Sequence, residues 1–306
     1  MELFKVQEWV KESTDTTMEK YRQAVHTLIV AISISSKLNT RMIIKGGILL
    51  GVRFRNERFT NDVDFSTADI YDMEEKEDLV RELDKGLIDA AETLDYGMDL
   101  RVQSAKKNPT RDGASFPTLK ITIGYAYKGS AEHKNLMRKS GHCSTILHVD
   151  YSFNEKNFEV DTLEVRPGGT IQAYSLTDLV AEKYRAIIQQ KTRNRIRRQD
   201  PYDIYRLLED GFLGDKILKP RILTSLKIKA YSRNIEINQN TLDDDEIFDR
   251  SKSEYETLNQ EIAGTLPPFD NLFSIVKAYY KSLPWDAWTA DREKSFFQEK
   301  IKRTGE

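Results

Sequence analysis

Cysteine is nearly absent from this chain: Cys143 is the only one in 306 residues. One thiol excludes an internal disulfide framework and a zinc centre built on several thiolates, and it fits a reducing compartment. No neighbouring base equips Cys143 as a nucleophile. An excess of charge of one sign is also missing. Lys and Arg number 47 against 49 Asp and Glu, a formal net charge of -2, so any polyanion-binding surface must be local. No apolar run approaches the roughly 20 residues of a membrane-spanning helix. The opening residues Met1-Glu2-Leu3-Phe4-Lys5 lack the apolar core of a signal peptide. These absences lead us to expect a soluble, cytoplasmic protein with no membrane partner. No internal repeat is present, and the length suits two ordinary domains, each able to bury a core.

What the chain does have is a pair of carboxylates, Asp62 and Asp64, in the segment Arg58-Phe59-Thr60-Asn61-Asp62-Val63-Asp64-Phe65-Ser66. On an extended segment, residues two apart project from the same side, so both acids look into one space while Val63 and Phe65 face a core. Two like charges this close resist joint ionisation without a cation between them, which points to a hard, oxygen-preferring ion such as magnesium. Upstream, Gly46 and Gly47 separate the apolar runs Met42-Ile43-Ile44 and Ile48-Leu49-Leu50. That order predicts strand, glycine turn and helix, with backbone N–H groups free to meet a phosphate at the helix start. A phosphate cradle followed by a carboxylate pair is the layout expected for nucleotidyl transfer. The glycines alone are equally a simple turn.

Two further stretches alternate with period two. Leu119, Ile121, Ile123 and Tyr125 share one face of a strand opposite Lys120 and Thr122; Leu147, Val149, Tyr151 and Phe153 share a face opposite His148 and Asp150. Stacked in one sheet, these strands would place Asp62, Asp64, Lys120 and Asp150 on a common polar face, with Asp150 as third carboxylate. His148 reads as a structural hydrogen-bonder, and Asp161 and Glu164 as surface charge. Residues 16 to 38 and 73 to 94 carry helical spacing. The breaker cluster Arg166-Pro167-Gly168-Gly169-Thr170 is the expected hinge between a sheet domain, residues 1–170, and a helical domain, residues 171–306.

From Ser175 onward the pattern is helical. Lys183 falls inside the apolar stripe formed by Leu176, Leu179, Val180, Tyr184, Ile187 and Ile188, so it needs a partner or a route to water. Residues 182 to 198 hold seven basic side chains (Lys183, Arg185, Lys191, Arg193, Arg195, Arg197, Arg198) against one acid, Glu182. This belt reads either as a nucleic-acid contact or as a solvated helix face. Asp200 and Asp203, one helical turn apart, either cap a helix and pair with arginines or belong to the site. Further helices follow, broken at Asn238-Gln239-Asn240 and Pro267-Pro268, with Trp285 and Trp288 late in the chain.

The segment Lys45-Gly46-Gly47-Ile48-Leu49-Leu50, with the Asp62 and Asp64 strand, resembles the polymerase-β-like nucleotidyltransferase superfamily, and within it the AbiEii/AbiGii-type toxin branch. Ala181-Glu182-Lys183-Tyr184-Arg185-Ala186 and Asp200-Pro201-Tyr202-Asp203-Ile204-Tyr205 are similar to that branch's second signature. Where the family usually places arginine before the first aspartate of that signature, this chain has Gln199, with Arg198 one step away. The resemblance implies an α+β fold, a nucleotidyltransferase sheet domain followed by a helical domain. It further implies a toxin of a toxin-antitoxin or phage-defence system, with a cognate antitoxin. Asp62, Asp64 and Asp150 would hold two magnesium ions, manganese being the alternative, at a site between the two domains. Gly46, Gly47, Lys183, Asp200 and Arg198 would bind the nucleoside triphosphate. Lys191, Arg193, Arg195 and Arg197 would meet an RNA acceptor, such as the 3' end of tRNA. The other readings are a small-molecule nucleotidyltransferase of the aminoglycoside-modifying sort and a nucleotide-binding regulator without turnover.

Overall fold

A computed structural model describes residues 1–56, 58–138 and 142–287 of the chain, so Trp288 lies outside the described residues. In chain order the first elements are β1 (Glu2–Leu3), α1 (Val6–Lys11), α2 (Thr16–Ile34), β2 (Ile43–Lys45), α3 (Gly46–Phe54), β3 (Asp62–Ser66) and α4 (Met73–Thr93). β4 (Met98–Asn108), β5 (Thr118–Tyr127), α5 (Ala131–Leu136), β6 (Ile146–Ser152), β7 (Val160–Glu164) and β8 (Thr170–Tyr174) complete the sheet region. The helices that follow are α6 (Leu176–Arg193), α7 (Gln199–Glu209), α8 (Leu218–Tyr231), α9 (Asp245–Lys252) and α10 (Phe269–Lys281). The fold is α+β, as the sequence led us to expect.

By contacts the chain forms two compact units, Met1–Leu179 with Asn259–Thr265, and Val180–Leu258 with Leu266–Glu306. The first is built on an eight-stranded mixed sheet of order β1-β7-β8-β2-β3-β6-β5-β4. Its apolar face carries Val63, Phe65, Leu119, Ile121, Ile123, Leu147, Val149 and Tyr151, all buried, as the period-two alternation requires. α2 starts at a strong signal: the Asp15 side chain accepts from the N–H groups of Thr17 and Met18 at 2.8 and 2.9 Å, satisfying donors that a helix start leaves open. α4 approaches α2 closely at Gly86, where a Cβ would lie 2.9 Å from the Ala31 carbonyl oxygen.

Two expectations need correction. The cluster Arg166–Thr170 is not a hinge between domains. It is the turn joining β7 and β8, which pair antiparallel with Glu164 opposite Thr170, and Val165 N–H bonds the Gly169 carbonyl at 2.9 Å. Proline and glycine mark a change of chain direction, and a hairpin satisfies that signal as well as a linker does. The units divide instead at 179/180, inside α6. Asp161 is also more than surface charge, since its carboxylate meets the Arg53 guanidinium at 2.6 Å.

In the second unit, Tyr184, Ile187, Ile204, Leu207, Ile222, Leu226, Leu272, Phe273, Val276 and Tyr280 are buried. The Tyr184 hydroxyl donates to the Val276 carbonyl at 2.9 Å, so α6 and α10 are joined through a satisfied polar group as well as apolar packing. No helix among the described residues is long and apolar enough to cross a membrane.

Candidate active site

β2 delivers the chain directly into α3. Lys45 is extended, and Gly46, at φ +70, is already the first residue of the helix, so the glycine turn is the helix's first turn itself. Only glycine suits this position. A Cβ there would sit on the Asp64 carboxylate, 2.9 Å from its Cγ and 3.0 Å from its Cβ, and a Cβ on Gly47 would lie 2.8 Å from Thr60 Cγ2. Both glycines thus let the start of α3 close onto β3 and the segment leading into it, where first-turn N–H groups favour negative charge.

The sheet register brings the predicted acids together. β3 and β6 run parallel, with Asp64 opposite Asp150 and Asp62 opposite His148. Lys45 lies opposite Asp64 across the β2–β3 pair, and Lys120 lies opposite Asp150 across the β5–β6 pair. Directly paired residues project to the same face, so Lys45, Asp64, Asp150 and Lys120 form one row. Lys120 Nζ stands 4.0 Å from Asp150 Oδ2. Burial raises the Asp150 carboxyl above the usual range, Lys120 and Lys45 pull it down, and the neighbouring charge of Asp62 pushes it up. Asp62 itself is exposed at the strand's start, Asp64 is half-buried, and His148 is exposed.

The sequence reading gave Lys45 no role, although a lysine closing an apolar run was visible. It is buried, with its ammonium 5.8 Å from the centre of the Tyr174 ring. The sequence also gave no hint that residues 259–265 return to the sheet unit. There Phe59 N–H bonds the Glu261 carbonyl at 2.6 Å and Arg58 faces the Glu261 carboxylate at 3.5 Å, which anchors the approach to Asp62. Tyr21 also lies near: its ring is 5.5 Å from that of Phe59, and burial together with the charges of Asp62 and Asp64 raises its phenol strongly.

Whether a divalent ion fits is a question of donors. Asp62, Asp64 and Asp150 offer the hard carboxylate oxygens that magnesium prefers, and the space Gly46 leaves admits the Asp64 carboxylate to the start of α3. Among the described residues no three His, Cys, Asp or Glu side chains converge into a ready-made metal cluster. Lysines stand beside the acids instead, and they supply counter-charge that an ion would share.

In the helical unit, Lys183 neither snorkels to water nor faces an empty space. It is buried and donates to Asp200 Oδ1 at 3.1 Å and to Asp203 Oδ2 at 2.6 Å. The two acids are therefore not mere partners of the arginine belt. Asp200 keeps one buried oxygen, Oδ2, with no hydrogen-bond partner. The belt is also less uniform than its sequence. Arg185 is buried against Glu182 and Gln189, and Lys191 meets Asp244 and Glu246 at 2.8 and 3.3 Å. Arg193 and Arg195 are exposed, while Arg197 and Arg198 are half-buried at the start of α7.

Residues 28–275 match the family described as "Nucleotidyl transferase AbiEii toxin, Type IV TA system". The chain belongs to this family of nucleotidyltransferase toxins, and it is a nucleotidyltransferase. Type IV toxin-antitoxin membership implies a nucleotide substrate and an antitoxin partner. Among solved structures, JHP933 from Helicobacter pylori superposes with a TM-score of 0.50 at 13% identity, covering 95% of this chain and 100% of that one. MenT4, the nucleotidyltransferase toxin Rv2826c from Mycobacterium tuberculosis H37Rv, gives a TM-score of 0.49 at 14% identity, covering 94% of this chain and 91% of that one. No curated protein matches the chain.

Proposed function

We propose that this chain moves a nucleoside monophosphate from a nucleoside triphosphate to a hydroxyl of RNA, the 3' end of tRNA being the favoured acceptor. In this reading it acts in the cytoplasm as the toxin of a phage-defence system. The observation that carries the reading is the pairing of Asp64 with Asp150 beside the Gly46 start of α3, with Asp62 two residues earlier. Asp62, Asp64 and Asp150 would hold magnesium, or manganese in its place. Such ions, when bound, supply electrostatic stabilisation of the transferring phosphate and its leaving group.

The chain's own residues do the rest. The first-turn N–H groups of α3, at Gly46 and Gly47, receive phosphate oxygens of the donor. An acceptor oxygen forms a bond to the α-phosphorus as the bond to pyrophosphate breaks, and Asp150, its carboxyl raised by burial, takes the acceptor's proton. Lys183, Asp200 and Arg198 are proposed nucleotide contacts of the helical unit, Arg198 standing in for the arginine that Gln199 replaces. Lys191, Arg193, Arg195 and Arg197 are the proposed RNA contacts of the belt, Lys191 also meeting Asp244 and Glu246.

The test is direct. Purified protein with magnesium, each α-labelled triphosphate and deproteinised total tRNA should place label on RNA. Label on an aminoglycoside instead, or nucleotide binding with no transfer to any acceptor, would replace this reading with a small-molecule enzyme or a regulator.

A further inference from the structure

The row that holds Asp64 and Asp150 continues beyond the acids. Lys120 on β5 lies opposite Asp150, and Lys106 on β4 lies opposite Lys120. Across the sheet the order is therefore Lys45, Asp64, Asp150, Lys120, Lys106. Two like-charged cross-strand pairs stand side by side, one acidic and one basic. Like charges directly opposite each other destabilise a sheet; Lys45 and Lys120 offset the two acids from either side, whereas Lys106 has only the like charge of Lys120 opposite it. The acidic pair is suited to a cation. By the same logic the basic pair is suited to an anion, and it sits on the side of Asp150 away from Asp64.

The surroundings are those of an open polar platform. Lys120 keeps 57% of its side chain exposed. Lys106 is exposed and has no ion-pair partner among the described residues. The row beside them is Ser104, Thr122 and His148, polar side chains of the kind that meet phosphate and sugar oxygens. With strands about 4.8 Å apart, the two lysines extend the reach of the site by two strand spacings past the acid assigned to the acceptor.

We propose that Lys106 and Lys120 grip the phosphodiester next to the reacting hydroxyl, so that the acceptor is a polyanionic strand laid across β5 and β4. The inference rests on the nucleotidyl-transfer reading of Asp62, Asp64 and Asp150 and adds the acceptor's charge to it. A cationic sugar would be repelled at this edge.

The experiment compares full-length protein with Lys106→Gln, with Lys106→Gln/Lys120→Gln, and with the double Arg variant, all at one pH. Deproteinised total tRNA is the probe. Each lost phosphate contact flattens the salt slope of binding by about 0.7, so the double Gln variant should flatten it by about 1.4 and raise KM for RNA about tenfold near 0.15 M salt. Magnesium-triphosphate affinity of Lys106→Gln, measured by calorimetry, should stay within about twofold, and the Arg variant should restore the slope. Relief of the like-charge pair should leave the melting temperature of Lys106→Gln equal or higher. Unchanged KM and salt slope with transfer intact would overturn this inference alone. A lowered melting temperature in Lys106→Gln would assign that lysine a structural role and overturn it too. Parent protein that labels no RNA would overturn the acceptor reading on which it rests.

Discussion

Replacing Lys183 with methionine keeps the length of the side chain and removes its charge. Asp203 is fully buried and the Asp200 side chain is 9% exposed, so the substitution leaves two acids one helical turn apart without the ammonium that bonds both. Removing one partner of a buried ion pair costs roughly 3–5 kcal/mol, because the remaining charge stays desolvated. Here two acids share the loss, which puts the expectation at the upper end. At about 2–4 °C per kcal/mol for a domain of 150–250 residues, the transition of the helical unit should fall by about 10 °C or more. Thermal unfolding followed by tryptophan fluorescence and by circular dichroism measures this. The variant Lys183→Met/Asp200→Asn/Asp203→Asn should recover much of the loss, since it also removes the two buried carboxylate charges. A single variant as stable as the parent would refute the reasoning. It would mean that Lys183 in solution is not held by these acids and serves phosphate alone.

Other outcomes follow from the same geometry. Asp150→Asn should raise the melting temperature of the nucleotide-free protein at pH 7 while blocking transfer. A carboxyl raised by burial favours its protonated form when folded, so its contribution is present at low pH and lost as pH rises through the folded pKa; an unchanged melting temperature would contradict this. Gly46→Ala should cost about 1–2 kcal/mol from the left-handed backbone, and should weaken triphosphate binding because its methyl displaces Asp64; calorimetry showing parental affinity would remove Gly46 from the site. His26 is fully buried, with Nδ1 2.8 Å from the Tyr96 hydroxyl, and burial lowers its pKa to about 4. Below its unfolded pKa near 6.5 the unfolded chain binds a proton that the folded chain does not. Stability should then fall by about 1.4 kcal/mol per pH unit down to about pH 4, and His26→Gln should flatten that slope in a pH series of urea melts.

Much of the site could be read from period and spacing. The alternation in Asp62–Ser66, Thr118–Tyr127 and Ile146–Ser152 was enough to put Asp62, Asp64, Asp150 and Lys120 on one face, because strand geometry is local. Their row position was not, since register depends on which strands become neighbours. β4 went unseen for a related reason. Its second half, Gln103-Ser104-Ala105-Lys106-Lys107-Asn108, is polar, and the ladder slips between Val102 and Ser104, which blurs a period of two. Lys183 was visible as an inward lysine, whereas its pairing with Asp200 and Asp203 needed α6 and α7 to pack. The turn at Arg166–Thr170 shows the limit of punctuation: glycine and proline announce a reversal without saying what lies on each side of it.

The most direct measurement is the single-turnover rate of label transfer to RNA by Asp62→Asn and Asp64→Asn at saturating magnesium. Each substitution removes one negative charge with almost no change of shape. We predict a loss of at least about a hundredfold with each, the scale of deleting an electrostatic stabiliser, with melting temperatures at or above the parent's. Transfer at close to the parental rate in either variant would contradict the assignment of this carboxylate pair as the reaction centre.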